Sequence, residues 1–483
     1  MTMLDVDWAR DVEPLPHLNG DLASILDTVR SLRLAWKRVI EADPEAFHEA
    51  RKRSLRRHAI ETGVIERLYD LSWGITEALV AEGITAEAAA RATRDGVLAD
   101  DVLELIRSQY DALQFMAEAA RHGRDVSISM VKELHVALTR LQHTYPATGP
   151  RGITFDARLA HGQWKSKPNS VTRPDGSKLE YCPPDQVAPQ MERLVELYVG
   201  YEDIDPVVRT AWLHHRFVRI HPFQDGNGRV ARCLTLLGLL RADLAPLVVD
   251  RRDRDRYLEC LDQANDGDLR PLVRFFAELQ IIALRSELEA PVVIDASAFA
   301  RGPLAVLEAG IARIEHREAL PNPAEPNDKV HALAETVHGR IVRRLSDTSI
   351  AIRQLVEKRL DQEAEVQLAT PHFEHEPEVG DVSGHTWLAQ LAVEARGHGL
   401  EYVVELDKAG LGETGVLTMH VAAVVTSPPA TPGRPDTFEQ LMFPPTATVT
   451  WTHENNPDTH WDQVEHVLDS TLARSLQGFI TAL

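Results

Sequence analysis

Hydrophobic residues recur every three or four positions along most of the first 290 residues, and this spacing predicts α-helices. Each predicted helix combines an apolar stripe with charged positions, which is typical of a helix that packs within a folded protein. We therefore predict a mainly α-helical fold for this part of the chain. The predicted helices span 21–41, 46–69, 86–94, 100–120, 129–141, 186–199, 206–218, 227–241, 254–265 and 269–288.

One stretch within this helical part has a different pattern. Proline, glycine and serine become frequent between residues 150 and 187. Val171–Tyr181 consists of two short extended runs on either side of Pro174-Asp-Gly, a sequence typical of turns. We predict a β-hairpin at this position, which precedes the loop at 221–232.

The pattern changes again after Pro291. A helix is predicted at 297–317, a proline-rich connection follows it, and a long helix is expected over 328–363. Hydrophobic and polar residues then alternate in three segments, which predicts strands, and a helix at 461–483 closes the chain. The predicted strands span 401–406, 416–425 and 446–453.

These changes of pattern divide the chain into four predicted parts. They are an N-terminal helical region at 1–128, a helical core with a β-hairpin at 129–290, a helix and proline-rich linker at 291–327, and an α+β domain at 328–483.

Composition narrows the class of protein. The net charge is −21, which favours solubility and makes binding to nucleic acid over the whole surface unlikely. The three cysteines form no CxxC pair, so reduced thiols are expected. The N-terminus is acidic and lacks a signal-peptide pattern, and no stretch reaches the roughly 18 apolar residues of a membrane span. We expect a cytoplasmic protein that does not enter membranes.

The loop between the helices at 206–218 and 227–241 combines residues suited to binding phosphate. Gly226 and Gly228 allow a close approach of the backbone to an anion, at the start of a helix whose free amides favour phosphate. Arg229 and Arg232 lie three positions apart on that helix and can both hold phosphate oxygens.

Three further residues of the loop suit catalysis. Asp225 supplies a carboxylate, which is a preferred ligand of Mg²⁺ between phosphates. His221 can accept a proton from a hydroxyl nucleophile at neutral pH. Asn227 is suited either to orienting a phosphate oxygen or to bracing the loop. A plain structural turn would not require all these residue types within twelve positions, so we predict a nucleotide and metal site.

The string His221-Pro-Phe-Gln-Asp-Gly-Asn-Gly-Arg-Val-Ala-Arg232 meets every fixed position of H-x-F-x-[DE]-G-N-G-R-x-x-R, and it therefore resembles the signature of the Fic family. The resemblance implies a helical Fic core that moves AMP from ATP to a Ser, Thr or Tyr hydroxyl of another protein, with Mg²⁺ or Mn²⁺. It also implies roles for the residues of the loop: His221 as the base, Asp225 as the metal ligand, Gly226, Asn227 and Gly228 as the anion hole, and Arg229 and Arg232 on the outer phosphates.

The same resemblance gives the hairpin at Val171–Tyr181 a role. In the family a flap lies over the active site, and its strand edge can align a segment of the target protein. We therefore expect the target to dock on the flap at 171–181. Family members often form dimers, which leaves a homodimer open.

The resemblance further implies an inhibitory helix with the pattern [ST]-x-x-x-E-[GN], whose glutamate pairs with the last arginine of the signature. The counterpart chosen from the sequence is Arg57-His-Ala-Ile-Glu61-Thr62, where Arg57 replaces Ser or Thr and Thr62 replaces Gly or Asn. We predict partial autoinhibition through a pair between Glu61 and Arg232.

Two other functions compete with AMP transfer. Fic relatives also remove AMP or transfer other phosphate groups, and Gly228 argues against the phosphate-transferring variant that carries Lys there. A non-catalytic nucleotide-binding regulator is the second alternative, against which the intact His221 and Asp225 argue.

Overall fold

The fold was analysed in a computed structural model. It describes residues 8, 11–18, 22–42, 44–91, 99–148, 153–173, 176–289, 301–305, 307–308, 311–312, 324–360, 363–370, 372–373, 386–409, 414–428, 437–441, 443 and 447–483. Most of the helix predicted at 297–317 and the proline-rich connection up to residue 323 lie outside these residues. The last four residues of the predicted connection, 324–327, instead form the first turn of the helix Ala324–Arg359.

Two compact units account for the chain, one built mainly from Phe47–Ala283 and the other mainly from Leu304–Leu483 with Asp27–Ala46. The helix α1 (Ala23–Ala42) thus shares the contacts of the second unit, although the sequence division grouped it with the N-terminal region. The four-part division stays a prediction.

The first unit is predominantly helical, as predicted. Its helices are α2 (Pro44–Ile65), α3 (Trp73–Glu82), α4 (Ala86–Arg91), α5 (Asp100–Arg121), α6 (Ile128–Thr139), α7 (Val187–Gly200), α8 (Pro206–Ile220), α9 (Asn227–Arg241), α10 (Arg254–Asn265) and α11 (Arg270–Glu289).

Helix α9 forms the centre of this unit. It is buried around nearly its whole circumference, because α5, α6 and α8 pack against it. A helix that is apolar on every side requires such a surrounding. Asp205 begins α8 by accepting a hydrogen bond from the backbone of Val207, with Pro206 at the first helical position. Two well-anchored helices therefore hold the loop between α8 and α9.

Two β-hairpins accompany the helices of this unit. The predicted one is present as β3 (Ser170–Thr172) and β4 (Lys178–Glu180), with Val171 opposite Leu179. The other, formed by β1 (Thr144–Thr148) and β2 (Thr154–Arg158), was not predicted. Both precede the loop in the chain.

The second unit has the predicted α+β character. Its antiparallel sheet includes β8 (His398–Lys408), β9 (Val416–Ser427) and β11 (Val449–Thr452), which correspond to the three predicted strands. Four strands were missed in the sequence: β5 (Glu365–Ala369), β6 (His372–Phe373), β7 (Thr386–Ala395) and β10 (Thr437–Leu441).

Two helices cover this sheet, α12 (Ala324–Arg359) and α13 (Trp461–Ala482). The stripe Val330, Leu333, Val337 and Ile341 of α12 is buried in one core with alternate residues of β8, as the helical and two-residue periods require. Within the described ranges, no helix has both the length and the apolar character needed to cross a membrane.

Candidate functional site

The turn into α9 is held by its own side chains. Gly226 adopts φ +81, a left-handed conformation that favours glycine, immediately before the helix begins. Asn227 is buried, and its amide accepts from the backbone N–H of Phe223 and donates to the carbonyl of Phe223, both at 2.9 Å. Of the two roles open to Asn227 in the sequence, the structure shows loop bracing.

His221 ends α8 in a left-handed conformation (φ +53) that turns its ring into the site. Its Nδ1 donates to the carbonyl of Val218 at 3.3 Å, which leaves Nε2 as the atom with a free lone pair. The ring stacks on Tyr181, with centroids 3.9 Å apart. Burial and the nearby charge of Lys165 lower the pKa of His221 to about 3, so the ring is neutral at physiological pH.

Lys165 is hydrogen-bonded to both chain neighbours of His221. Its backbone N–H donates to the carbonyl of Pro222 at 2.8 Å, and its ammonium donates to Asn169 Oδ1 at 2.7 Å and to the Ile220 carbonyl at 3.3 Å. Burial lowers the pKa of this lysine to about 8. The sequence analysis missed Lys165, since nothing in its own segment points to a site 56 residues further on.

Asp225 lies in the loop four positions after His221, and part of its carboxylate is open because 32% of its side chain is exposed. Oδ1 accepts from the Gly226 N–H at 2.6 Å, and Oδ2 accepts from Gln142 Nε2 at 2.7 Å. Each oxygen keeps a lone pair for a hard cation such as Mg²⁺. The described side chains offer no cluster of three or more His, Cys, Asp or Glu for a metal, so phosphates and water would complete the coordination.

Arg229 is buried under the loop. Its guanidinium donates to the Leu138 carbonyl at 3.2 Å and to the amide oxygen of Gln142, and it lies 3.9 Å from Asp225 Oδ1. Arg229 thus links α9 to α6. Its charge lies close to the turn at Gly226.

Arg232 is bound by two side chains at the end of α2, those of Thr62 and of Glu66, which directly follows the helix. Glu66 Oε1 lies 2.6 Å from Arg232 Nη2, and Thr62 Oγ1 accepts from Arg232 Nε at 2.6 Å. The carboxylate of Glu66 also lies directly over Gly228, since a Cβ added there would be 2.2 Å from Glu66 Oε1. Burial alone would raise the pKa of Glu66, but the charge of Arg232 outweighs it and the pKa is lowered. An ionised carboxylate therefore occupies the anion-binding turn.

The predicted pair between Glu61 and Arg232 is wrong. Glu61 is completely buried and binds Arg251, with Oε1 2.7 Å from Arg251 Nη2. Glu66 directly follows α2, and its N–H still donates to the Thr62 carbonyl as in a helix. Five positions separate it from Glu61, which at about 100° per residue places the two side chains about 140° apart around the helix axis. The two glutamates therefore face different partners.

The sequence does contain a pattern that identifies Glu66 as the glutamate that pairs with Arg232. Thr62-Gly-Val-Ile-Glu66 has the same [ST]-x-x-x-E spacing as the inhibitory pattern, without the substitution found at Arg57. Arg67 stands where that pattern has Gly or Asn, and it adopts φ +58. A left-handed residue at the end of the helix explains the preference for Gly or Asn at this position.

Comparisons with known proteins agree on the region around the loop. Residues 125–239 match the model of the Fic/DOC family. Protein adenylyltransferase Fic from Culex quinquefasciatus is 39% identical over 114 residues, which cover 22% of this chain and 23% of that protein. The protein of the same name from Nematostella vectensis is 40% identical over 102 residues, 19% of this chain and 24% of that protein.

Among solved structures, a Fic domain containing signaling protein from Bacteroides thetaiotaomicron is 23% identical, with a TM-score of 0.45 over 55% of this chain and 96% of that chain. The chain spans about a quarter of the length of the two curated relatives above.

Proposed function

We propose, from the Fic/DOC domain that residues 125–239 form, that this chain is a protein adenylyltransferase that moves AMP from ATP to a Ser, Thr or Tyr hydroxyl of a target protein. The observation that carries the proposal is the arrangement at the start of α9. There an anionic side chain, the carboxylate of Glu66, lies over Gly228 and on Arg232, next to the neutral imidazole of His221. A site that already seats an anion beside a base suits transfer of a phosphate-linked group.

The reaction uses His221 as general base. Its Nε2 takes the proton of the target hydroxyl as that oxygen forms a bond to the α-phosphorus of ATP. The bond from the α-phosphorus to the bridging oxygen breaks, and diphosphate leaves. The stack on Tyr181 fixes the orientation of the imidazole ring. The hydrogen bond from Nδ1 to the Val218 carbonyl selects the tautomer that this step needs.

The phosphates are bound by the turn. The backbone of Gly226, Asn227 and Gly228 forms the anion hole, and Arg229 and Arg232 supply the positive charge for the outer phosphates. Mg²⁺, held by Asp225 with Mn²⁺ as an alternative, would neutralise charge between the phosphates. The sequence-derived role of each residue thus stays as proposed, with Arg229 acting from its buried position.

Glu66 acts as the inhibitor in place of Glu61. Its carboxylate and the outer phosphate need the same ligand, Arg232, and the same space over Gly228. ATP therefore binds productively only after the end of α2 moves and takes this carboxylate away from Arg232. Thr62 strengthens the inhibition, because its hydroxyl oxygen accepts a hydrogen bond from Nε of the same guanidinium.

The flap β3–β4 is proposed to receive the target. Val171 is 44% exposed, and strand β3 has β4 as its partner on one edge only among the described strands. An extended target segment can add to such an edge and bring its hydroxyl to His221. Tyr181 directly follows β4 and stacks on His221, so flap and base are linked. The cytoplasmic location and the homodimer stay predictions.

Transfer of label from ATP tests the proposal. Parent protein, Glu66→Gly and His221→Ala are incubated with a cell lysate, Mg²⁺ or Mn²⁺, and ATP labelled at the α- or the γ-phosphate. We expect label from the α-phosphate alone, at least tenfold stronger in Glu66→Gly and absent in His221→Ala. Label from the γ-phosphate would contradict AMP transfer and establish a different phosphate-group transfer.

Removal of AMP is the second candidate, and the position of Glu66 favours it. A carboxylate at the phosphate-binding turn can orient or deprotonate a water for attack on an AMP–protein bond. Release of AMP from a modified protein by the parent, lost in Glu66→Gly, would assign this reaction to the resting state.

A further inference from the structure

Gln142 connects two charged residues of the site that are distant from it in the chain. It follows α6 by one turn, and its backbone N–H donates to the Thr139 carbonyl at 2.8 Å. Its side chain reaches Asp225, 83 positions further on, and Arg229, 87 positions further on. No sequence motif includes this residue.

The chemistry of the partners determines the orientation of the Gln142 amide. A carboxylate only accepts hydrogen bonds and a guanidinium only donates them. The amide nitrogen must therefore face Asp225 Oδ2, at 2.7 Å, and the amide oxygen must face Arg229. The nitrogen also donates to the Thr144 carbonyl at 3.1 Å, so both of its protons are used.

This amide keeps Asp225 and Arg229 apart. The guanidinium of Arg229 is buried, and Asp225 Oδ1 is 3.9 Å from it, beyond a hydrogen bond. A buried guanidinium that loses an acceptor is costly, so it would turn to the nearest carboxylate. Asp225 is already within 3.9 Å of that guanidinium. A direct ion pair would then use the lone pair of Oδ1 that the Gly226 N–H leaves available.

We propose that Gln142 is a positioning residue for the cation: it holds Asp225 in a fixed plane and keeps Arg229 from capturing it. The inference rests on the proposed function, which makes Asp225 the metal ligand. Carboxylate ligands of metals are commonly oriented by hydrogen bonds from a second layer, and loss of such a partner costs ten- to a hundredfold in affinity.

The test measures Mn²⁺ binding, by electron paramagnetic resonance, with a non-hydrolysable ATP analogue in the Glu66→Gly background. Gln142→Met keeps the length of the side chain and removes its three hydrogen bonds, and we expect the Mn²⁺ dissociation constant to rise about tenfold. Affinity for the analogue in EDTA should change less than twofold. A purely structural defect would weaken both. Gln114→Met, on the exposed face of α5, is the matched control and should change neither.

Gln142→Asn is the second variant, in case Gln142→Met fails to fold. It keeps an amide but is one methylene too short to reach both partners, so a rise of at least threefold is expected. An unchanged Mn²⁺ affinity in either folded variant overturns the inference while the proposed function stands. A Glu66→Gly parent that binds the analogue but no Mn²⁺ overturns the metal site of the proposed function itself.

Discussion

Glu61 and Arg251 form a bidentate ion pair that anchors α2 to the segment before α10. Oε1 lies 2.7 Å from Nη2, Oε2 lies 3.0 Å from Nε, and the backbone N–H of Arg251 donates to Oε2 at 3.0 Å. The same guanidinium donates to Thr76 Oγ1 at 2.9 Å and to the Leu71 carbonyl. Because Glu66 directly follows α2, this pair also anchors the segment that carries the proposed inhibitor.

Arg251→Ala should loosen this anchor. The carboxylate of Glu61 has no exposed surface, so loss of its partner leaves a buried charge and should cost about 3–5 kcal/mol in free energy of unfolding. Urea denaturation measures the loss. Self-labelling with α-labelled ATP should rise above that of the parent but stay below that of Glu66→Gly.

Arg193→Ala is the matched control for this variant, because Arg193 forms only an exposed ion pair with Glu196 on α7. It should change neither stability nor labelling by a measurable amount. If Arg251→Ala loses stability with no rise in labelling, the anchor does not control Glu66.

Arg67→Gly should stabilise the end of α2, whereas Arg251→Ala loosens this helix. Arg67 is exposed and adopts φ +58 at the end of the helix, a conformation that disfavours residues with a Cβ. Glycine should raise the free energy of unfolding by about 1 kcal/mol, after the greater entropy of the unfolded chain is subtracted. Because the helix end is then better formed, self-labelling should fall. Arg67→Ala removes the same charge but keeps the Cβ, so a gain of equal size in that variant would argue against relief of strain.

Gly63→Ala should destabilise α2 through a clash. A Cβ at this position would be 2.2 Å from the Oη of Tyr69, whose hydroxyl donates to the carbonyls of Ala59 and Ile60 at 3.1 Å. We expect a loss of about 1–3 kcal/mol, measured as a lower Tm. Gly339→Ala, on α12, is the contrasting change because nothing lies within 4 Å of its added Cβ. It should stabilise its helix by up to about 1 kcal/mol.

Acid should destabilise the protein through its buried histidines. His214 is fully buried, with Nδ1 bonded to Thr235 Oγ1 at 2.8 Å and Nε2 bonded to Tyr257 Oη at 2.7 Å. Burial lowers its pKa to about 3, whereas the unfolded chain takes up the proton near the ordinary value of 6.5. The unfolded state therefore binds more protons between about pH 6.5 and 3, and stability falls as the pH falls through that window.

The contribution of His214 can be measured from the slope of the free energy of unfolding against pH. Urea unfolding of the parent and of His214→Gln is compared from pH 7 to pH 5. Below about pH 6 the variant should lose stability less steeply, by about 1.4 kcal/mol per pH unit, which is the effect of one proton. Parallel curves for the two proteins would mean that His214 is already protonated in the folded state or remains neutral in the unfolded state.

Much of the backbone conformation of the loop could be predicted because its residues are contiguous. His221, Asp225 and Gly226 lie within six positions, so their relation depends on one turn and one helix start, both of which local sequence determines. The long helix α12 and the hairpin at β3–β4 were predicted for the same reason. The short strands β5, β6 and β10 were missed, since short segments carry too few alternations for a period to be recognised.

The sequence by itself determined that this chain has helices on both sides of the turn at Gly226, because periodicity and turn chemistry act over a few neighbouring residues. Only the tertiary structure decided which glutamate meets Arg232. Thr62-Gly-Val-Ile-Glu66 fits the spacing pattern better than the segment ending at Glu61, but neither segment shows which arginine its glutamate meets. The packing of α2 places Glu66, directly after the helix, against an arginine 166 positions away and Glu61 against Arg251. The bridge from Gln142 to Asp225 depends on the same kind of contact, since its geometry exists only after α6 has packed on α9.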